Sequence, residues 1–223
     1  MKTNTFTAVD QYQPHDLLRL RAWPTLEGAP EWLPAAFADA PFAVVRRTEA
    51  PAGLVPIGFR GAVRAHRYGT FVAHEAIELA LSPEHLNDRP VAAERRMMKA
   101  FRALRIIIEQ RWLDRLVWGP TGSVGFELAT ARPTVTDTSD LDLLIRTPCP
   151  LLREQAMALY QPMKALEADL GLRIDAQLET PAGGIALSEW AQQKPRVMAR
   201  SALGASLIAD PWATHDLACA APR

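Results

Sequence analysis

Alternating hydrophobic and polar positions predict two strands in the second half of the chain. Residues 139–146 read SDLDLLIR, so Asp140 and Asp142 project from the same side of an extended strand. Residues 172–179 read LRIDAQLE, which gives one apolar face and one polar face that includes Asp175. If the two strands are neighbours, the three carboxylates lie on one face of a sheet.

Two other segments have the hydrophobic spacing of helices. Residues 151–170 predict a helix that ends near Gly171, a residue favoured just after a helix C-terminus. Residues 91–112 predict an amphipathic helix, and its apolar stripe, which we expect to face the core, consists of Met97, Phe101, Leu104 and Ile108.

Prolines divide the first half of the chain into short pieces. Residues 42–47 predict a strand, and residues 15–20 predict a short helical turn. Residues 59–68 are consistent with one further strand, on which Arg60, Arg64 and His66 would share a face.

The change to helical spacing near Pro90 predicts a boundary between two domains. We therefore expect an N-terminal domain over residues 1–88 and a second domain over residues 89–223.

Composition narrows the class of protein. The 223 residues are 48% hydrophobic, and 25 basic side chains balance 25 acidic ones. A formal net charge of zero argues against a nucleic-acid binder that depends on bulk electrostatics. Cys149 and Cys219 have no metal or redox spacing, and no apolar run approaches the ~20 residues that span a bilayer. These features predict a cytoplasmic protein.

The chemistry-bearing stretch is residues 119–146. A small-residue turn with Gly122 and Ser123 precedes a predicted helix over residues 124–130, whose N-terminal amides would suit a phosphate. Asp140 and Asp142, with Cα atoms roughly 6.5–7 Å apart, could share one or two divalent cations. Each motif alone is also typical of an ordinary cap or a solvated strand face. Together they predict metal-dependent phosphoryl or nucleotidyl transfer.

The order of these motifs resembles the polymerase-β-type nucleotidyltransferase superfamily: strand, Gly-Ser turn, helix, Asp-x-Asp strand, helix, and a strand with a third acid. Four segments together resemble a narrower family, the phosphoribosyl-dephospho-CoA transferase (holo-acyl-carrier-protein synthase) of malonate decarboxylase. They are PHDLL at 14–18, VVRR at 44–47, PIGFRG at 56–61, and residues 119–146.

The resemblance implies an α+β fold. A polymerase-β-like domain, with a mixed sheet and flanking helices, would follow a small N-terminal α/β domain. It also implies transfer of the prosthetic group from 2'-(5-triphosphoribosyl)-3'-dephospho-CoA to a serine of the apo acyl-carrier subunit, with release of diphosphate. Asp140, Asp142 and Asp175 would be catalytic and would hold Mg²⁺ or Mn²⁺, while Gly122 and Ser123 would bind phosphate.

The chain departs from the family pattern at two places. Residues 131–138 lengthen the gap between the turn and the acids. Near the C-terminus, Arg200-Ser201 and Gly204-Ala205 stand where Lys-Thr and Gly-Pro are expected, which leaves Arg200 as a candidate basic contact.

The arginines in and after the segment PIGFRG lead to a separate hypothesis. Arg60, Arg64 and Arg67 lie among glycines, which predicts a surface for a polyanionic substrate or for an acidic carrier protein. A merely solvated face is the alternative.

Alternative functions remain open at this point. They are the same transfer to the citrate lyase carrier, a nucleotidyltransferase that uses an ordinary nucleoside triphosphate, and a binding protein with a decayed transferase site. Intact Asp140, Asp142 and Asp175 argue against decay.

Overall fold

The computed structural model describes residues 12–24, 26, 28–61, 63 and 65–213. Contacts within the chain divide it into two compact units, residues 1–82 and 83–223. The second unit begins earlier than residue 89 because a short 3-10 helix, Pro83–Leu86, packs against that unit's first strand. Gly119 permits this packing, since a Cβ there would overlap the backbone of Pro83.

The first unit is an antiparallel sheet with one helix. Its elements are β1 (Leu17–Leu20), α1 (Leu33–Asp39), β2 (Phe42–Val45), β3 (Leu54–Arg60), β4 (Arg67–Ala73) and β5 (Ile77–Leu81). The strand order is β4-β3-β2-β1-β5, and every pairing is antiparallel. Alternate side chains of these strands, such as Val55, Ile57 and Phe59, are buried in one core. The family resemblance implied an α/β domain, which has a mostly parallel sheet. The antiparallel sheet and single α-helix of this unit are instead typical of the α+β class.

Two predictions for the first unit are wrong. Residues 17–20 form β1 instead of a helical turn, because this segment pairs with β2 on one side and β5 on the other. Residues 59–68 form no single strand. The chain reverses between β3 and β4, where the Gly61 N–H donates to the His66 carbonyl at 3.0 Å. A Cβ at Gly61 would lie 2.7 Å from the Trp32 ring, so the tight turn needs glycine.

The second unit contains the strands and helices on which the acids lie. Its elements are α2 (Lys99–Glu109), β6 (Val117–Pro120), α3 (Gly122–Thr130), β7 (Leu141–Arg146), α4 (Arg153–Leu170), β8 (Ile174–Thr180), β9 (Gly183–Ala186), α5 (Leu187–Ala191), β10 (Val197–Ser201) and β11 (Gly204–Ile208). They form a mixed six-stranded sheet in the order β11-β10-β9-β8-β7-β6. Among the described strands of this sheet only β7 and β8 are parallel, and α4 supplies the crossover between them.

The helices of this unit differ in how well the sequence predicted them. The α4 helix ends as expected, with Gly171 in the left-handed conformation at φ 59°. The α2 helix is shorter than predicted, because residues 93–95 form a separate 3-10 turn. Met97 is consequently 74% exposed, and Ile107 rather than Ile108 completes the buried stripe with Phe101 and Leu104.

None of the described helices combines the length and the hydropathy needed to cross a membrane.

Candidate active site

Two of the three predicted carboxylates lie on adjacent strands. Asp142 of β7 and Asp175 of β8 are Cα partners in the parallel register, which is fixed in part by the Leu141 N–H donating to the Arg173 carbonyl at 2.9 Å. Neighbouring strands lie about 4.7–4.9 Å apart, so these side chains leave the same face side by side. The predicted pairing of the two acid-bearing strands is confirmed.

Asp140 lies immediately before β7, two residues from Asp142 and half-buried. Within the described ranges its carboxylate makes no hydrogen bond or ion pair. Asp175, in contrast, forms an ion pair with Arg173, in which Asp175 Oδ1 lies 2.7 Å from Arg173 Nη2. Across those same ranges no group of three or more His, Cys, Asp or Glu side chains is arranged to hold a metal ion. The binding of one cation by all three carboxylates therefore stays a prediction. In the structure Asp175 is engaged by Arg173, and Asp142 lies against Gly122.

Gly122 and Asp142 are in close approach at the start of α3. A Cβ on Gly122 would overlap Oδ2 of Asp142 and lie 2.8 Å from its Cγ. Gly122 also has φ +60°, a conformation that costs other residues about 1–2 kcal/mol. The chain is held there by the Thr121 N–H, which donates to the Asp142 carbonyl at 2.9 Å. Only glycine lets the carboxylate lie beside the first turn of the helix.

We expect Gly122→Ala to reduce transfer activity by about 10²-fold, because displacing a functional group by ~1 Å can cost that much. Gly28→Ala is the matched control: Gly28 has φ +67°, but a Cβ there meets no atom of the described residues within 4 Å. Steady-state rates and thermal unfolding of both variants separate the collision with Asp142 from backbone strain. Equal losses of activity in the two variants would contradict the role of the close approach.

The N-terminus of α3 fits the predicted phosphate-binding turn. Thr121, at the N-cap, makes no side-chain hydrogen bond to the first turn. The first-turn amides of Gly122 and Ser123 and the positive end of the helix dipole are the groups that would face an anion bound there. The Ser123 carbonyl accepts a hydrogen bond from Thr134 Oγ1 at 2.8 Å, which anchors the following loop to this turn.

Sequence reasoning missed a buried ion pair that organises the loop between α3 and β7. Glu127 accepts two hydrogen bonds from Arg95, at 2.8 and 2.9 Å, and two more from the backbone N–H groups of Thr134 and Val135, both at 2.8 Å. Burial by itself would raise the pKa of Glu127, but these hydrogen bonds outweigh burial and hold the pKa below its ordinary value. The available sequence signal was a single acid within the apolar run GFELAT.

We expect Glu127→Gln to lower the free energy of unfolding by about 3 kcal/mol, because removing one charge of a buried ion pair leaves the other charge without its partner. A depressed pKa stabilises the fold fully above the unfolded-state value of about 4.5, and this contribution is lost as pH falls through the lower folded-state pKa. The difference between the wild type and the variant should therefore shrink below pH 4.5. Denaturant titrations across this range measure it.

Glu109→Gln is the control for that titration, because Glu109 forms an exposed pair with Arg105. It should change stability by less than ~1 kcal/mol at every pH. A similarly small effect of Glu127→Gln would contradict the structural importance of the buried pair.

The predicted basic residues of the first unit are only partly described. Arg60 and Arg67 are Cα partners on β3 and β4, so they face the same side of the sheet. Arg64 lies outside the described residues. The structure places a third basic residue, Arg46, beside them. Its guanidinium lies directly over the backbone of Gly58 and Gly69, which are paired across β3 and β4, and a Cβ at Gly69 would lie 2.7 Å from Arg46 Cζ.

Arg200 shares a sheet face with the acids but lies away from them. It pairs with Gly184, which pairs with Glu179, and Glu179 is four residues beyond Asp175 on β8. Four residues of strand correspond to about 13 Å. Arg200 is exposed, and its role as a basic contact stays a prediction.

Comparison with known proteins covers both units. The family model described as Phosphoribosyl-dephospho-CoA transferase MdcG N-terminal domain matches residues 13–83, and the corresponding C-terminal domain model matches residues 84–211. No solved structure matches the chain.

Relatives named phosphoribosyl-dephospho-CoA transferase are similar over nearly their whole length. One from Pseudomonas aeruginosa is 43% identical over 201 residues, which is 90% of this chain and 93% of the relative. One from Pseudomonas putida strain W619 is 42% identical over 94% of this chain and 98% of the relative. One from Azotobacter vinelandii is 39% identical over 90% and 94%, respectively. The chain therefore belongs to the phosphoribosyl-dephospho-CoA transferase family.

Proposed function

We propose that this protein is a transferase that moves the phosphoribosyl-dephospho-CoA group from 2'-(5-triphosphoribosyl)-3'-dephospho-CoA to a serine of the apo acyl-carrier subunit of malonate decarboxylase. The observation that carries the proposal is the pairing of Asp142 with Asp175 beside the N-terminus of α3, in a chain that matches this family in both units. Carboxylates and helix amides in one place suit a reaction at a phosphate.

A polymerase-β-type nucleotidyltransferase fold for the second unit is part of the same proposal. Its support is the order of elements: β6, the turn at Gly122, α3, the acid-bearing strand β7, the crossover helix α4, and β8 with Asp175. The mixed sheet with helices attached to it agrees with this arrangement.

The donor set is suited to Mg²⁺ or Mn²⁺. Mg²⁺ usually needs only one or two protein carboxylates, together with water and substrate phosphate oxygens. Asp142 and Asp175 supply two adjacent carboxylates, and Asp140 supplies one that has no partner in the described part of the chain. A bound cation would supply positive charge to the transferring phosphate and the departing diphosphate.

The chain's own residues account for the remaining steps. The serine oxygen of the carrier forms a bond to the α-phosphorus of the donor, and the bond from that phosphorus to the bridging oxygen breaks. Diphosphate leaves with the bonding electron pair, and Asp175 accepts the serine proton. The first-turn amides of Gly122 and Ser123 hold the oxygens of the departing diphosphate. The product is a phosphodiester on the carrier.

The proposal is tested with purified protein, the triphosphate donor, Mg²⁺ and either of two apo carriers, one from malonate decarboxylase and one from citrate lyase. We expect diphosphate release and a mass increase of the malonate decarboxylase carrier. Modification of the citrate lyase carrier alone would overturn the choice of partner. Diphosphate release from ordinary nucleoside triphosphates, with no release from the donor, would overturn the choice of substrate.

We also propose that Arg46, Arg60 and Arg67, here called the basic surface, dock an acidic face of the carrier. The glycine pair lets the Arg46 guanidinium lie across the sheet on the face that Arg60 and Arg67 share, and opposite charge speeds encounter in a salt-dependent manner. An acidic carrier surface is what we expect from the wider class of acyl-carrier proteins.

Reversing two of these charges, in Arg60→Glu with Arg67→Glu, should raise the KM for the carrier about tenfold at low salt and leave donor binding unchanged. The effect should diminish as ionic strength increases. Arg89→Glu with Arg115→Glu changes the net charge equally at two exposed positions elsewhere and is the control. A loss of donor affinity instead would identify a phosphate site, and no change in either titration would identify a solvated face.

A further inference from the structure

An open cavity of about 540 Å³ lies at the beginning of the parallel strands β7 and β8. Its walls come from the chain just before each strand, at residues 137–140 and 171–173, and from the α4 residues Lys164, Glu167 and Ala168. Pockets of about 300–1,000 Å³ hold small-molecule groups. Because Asp140 lines it, the cavity borders the candidate active site.

Charge decides what kind of group the cavity suits. Its lining contains the carboxylates of Asp137, Asp140 and Glu167 and the cations of Lys164 and Arg173, so it has one negative charge in excess. Such a lining disfavours a free polyphosphate. It favours a group with hydroxyls, which donate to carboxylates, and with a single phosphate beside the guanidinium.

Two of these charged groups are already used by the fold. Glu167 accepts a hydrogen bond from the Ile174 N–H at 2.7 Å and pairs with Lys164 at 2.6 Å, which fixes the start of β8 to α4. The side chain of Asp140 makes no hydrogen bond or ion pair within the described ranges. It is therefore available to a ligand hydroxyl.

Arg173 links the cavity to the paired acids. Its Nη2 lies 2.7 Å from Asp175 Oδ1, with the two side chains 68% and 40% exposed. Exposed pairs of this kind contribute only about 0–1 kcal/mol to stability, so the guanidinium can leave Asp175 at little cost. A phosphate is a better partner, because the planar fork binds two of its oxygens at once.

We propose that this cavity binds the ribosyl group of the donor, and that Arg173 transfers from Asp175 to the α-phosphate when the donor binds. The sugar hydroxyls donate to Asp140 and Asp137, and the 5' end points toward the paired acids. Departure of the guanidinium leaves Asp175 Oδ1 free to accept the serine proton. The identity of the sugar phosphate rests on the proposed function.

The first test fills the cavity. Ala168 is exposed on α4 and lines the cavity, whereas Ala165 is exposed on the same helix but does not line it. Ribose 5-phosphate is titrated into each full-length protein and followed by NMR, with inorganic phosphate as the comparison ligand. We expect the wild type and Ala165→Trp to bind ribose 5-phosphate more tightly than phosphate. Ala168→Trp should bind it at least tenfold more weakly and should raise the donor KM with little change in kcat.

The second test removes the guanidinium of Arg173. Arg173→Met should weaken ribose 5-phosphate about tenfold, whereas Arg105→Met, which breaks the exposed pair with Glu109 on α2, should not. Arg173→Lys should recover part of the affinity, because it keeps the charge and loses the bidentate geometry. Wild-type affinity for ribose 5-phosphate in both Ala168→Trp and Arg173→Met would overturn the proposal, as would equal affinity for ribose 5-phosphate and inorganic phosphate in the wild type.

These measurements separate the two proposals. Binding of ribose 5-phosphate that depends on Ala168 and Arg173, in a protein that releases no diphosphate from the donor, would retain the sugar-phosphate cavity and overturn the proposed function. Diphosphate release that is indifferent to both substitutions would do the reverse.

Discussion

Asp142→Asn is expected to reduce diphosphate release by about 10³-fold or more, the upper range for loss of one electrostatic group at a reaction centre. Asparagine has nearly the same shape, so it can remain beside Gly122, but it has no negative charge to offer a divalent cation. The fold should remain intact, because Asp142 is half-buried at a strand end rather than within the core.

Diphosphate release with Mg²⁺ and thermal unfolding by circular dichroism, measured side by side, test this prediction. Asp140→Asn should also reduce diphosphate release, since Asp140 lies two residues before Asp142 and on the same side of the chain. Asp169→Asn, an exposed acid on α4, is the control and should be neutral. Near-normal release from Asp142→Asn would overturn the assignment of this carboxylate to the metal.

Asp175→Asn is expected to reduce the single-turnover rate by about 10²–10⁴-fold, the contribution of a positioned general base. Donor affinity should change much less, because accepting a proton matters only in the transition state. In the Asp175→Asn variant Arg173 no longer has a carboxylate partner before the donor binds. The loss of this partner favours the contact between Arg173 and the donor phosphate.

Single-turnover rates and equilibrium donor binding distinguish these effects. The control is Glu179→Gln, which removes an acid from the same strand and the same face four residues further along. It should leave the rate within a few-fold of the wild type. If Asp175→Asn abolishes donor binding and leaves the rate of the bound complex unchanged, Asp175 is a binding residue and not the base.

The sequence alone determined the local features of the active region. Alternation in 139–146 and 172–179 specified two strands and the faces on which Asp142 and Asp175 lie, and helical spacing with Gly171 specified α4 and its end. These patterns are reliable because side-chain direction follows from backbone period, which is a local property. The family motifs, similarly, are contiguous stretches of the chain.

Local patterns misled where long-range pairing competes with them. Residues 17–20 can form a helical turn on their own, but two neighbouring strands provide backbone partners and draw the segment into the sheet. Residues 59–68 alternate well enough for one strand, yet Gly61 reverses the chain beneath Trp32. The partners of residues 17–20 lie far away in sequence, whereas residues 59–68 are decided by a tight turn whose Gly61 packs against the distant Trp32.

Only the tertiary structure decided how the chemical groups meet. The parallel register placed Asp175 beside Asp142, the missing Cβ of Gly122 admitted the Asp142 carboxylate, and Arg173 engaged Asp175 at the rim of a cavity. The first two contacts join residues that lie far apart along the chain, and the third joins alternate residues at the start of one strand, whose shared face the sequence shows but whose ion pair it does not. Periodicity specifies the face on which a side chain lies, whereas strand register and close packing specify its neighbours.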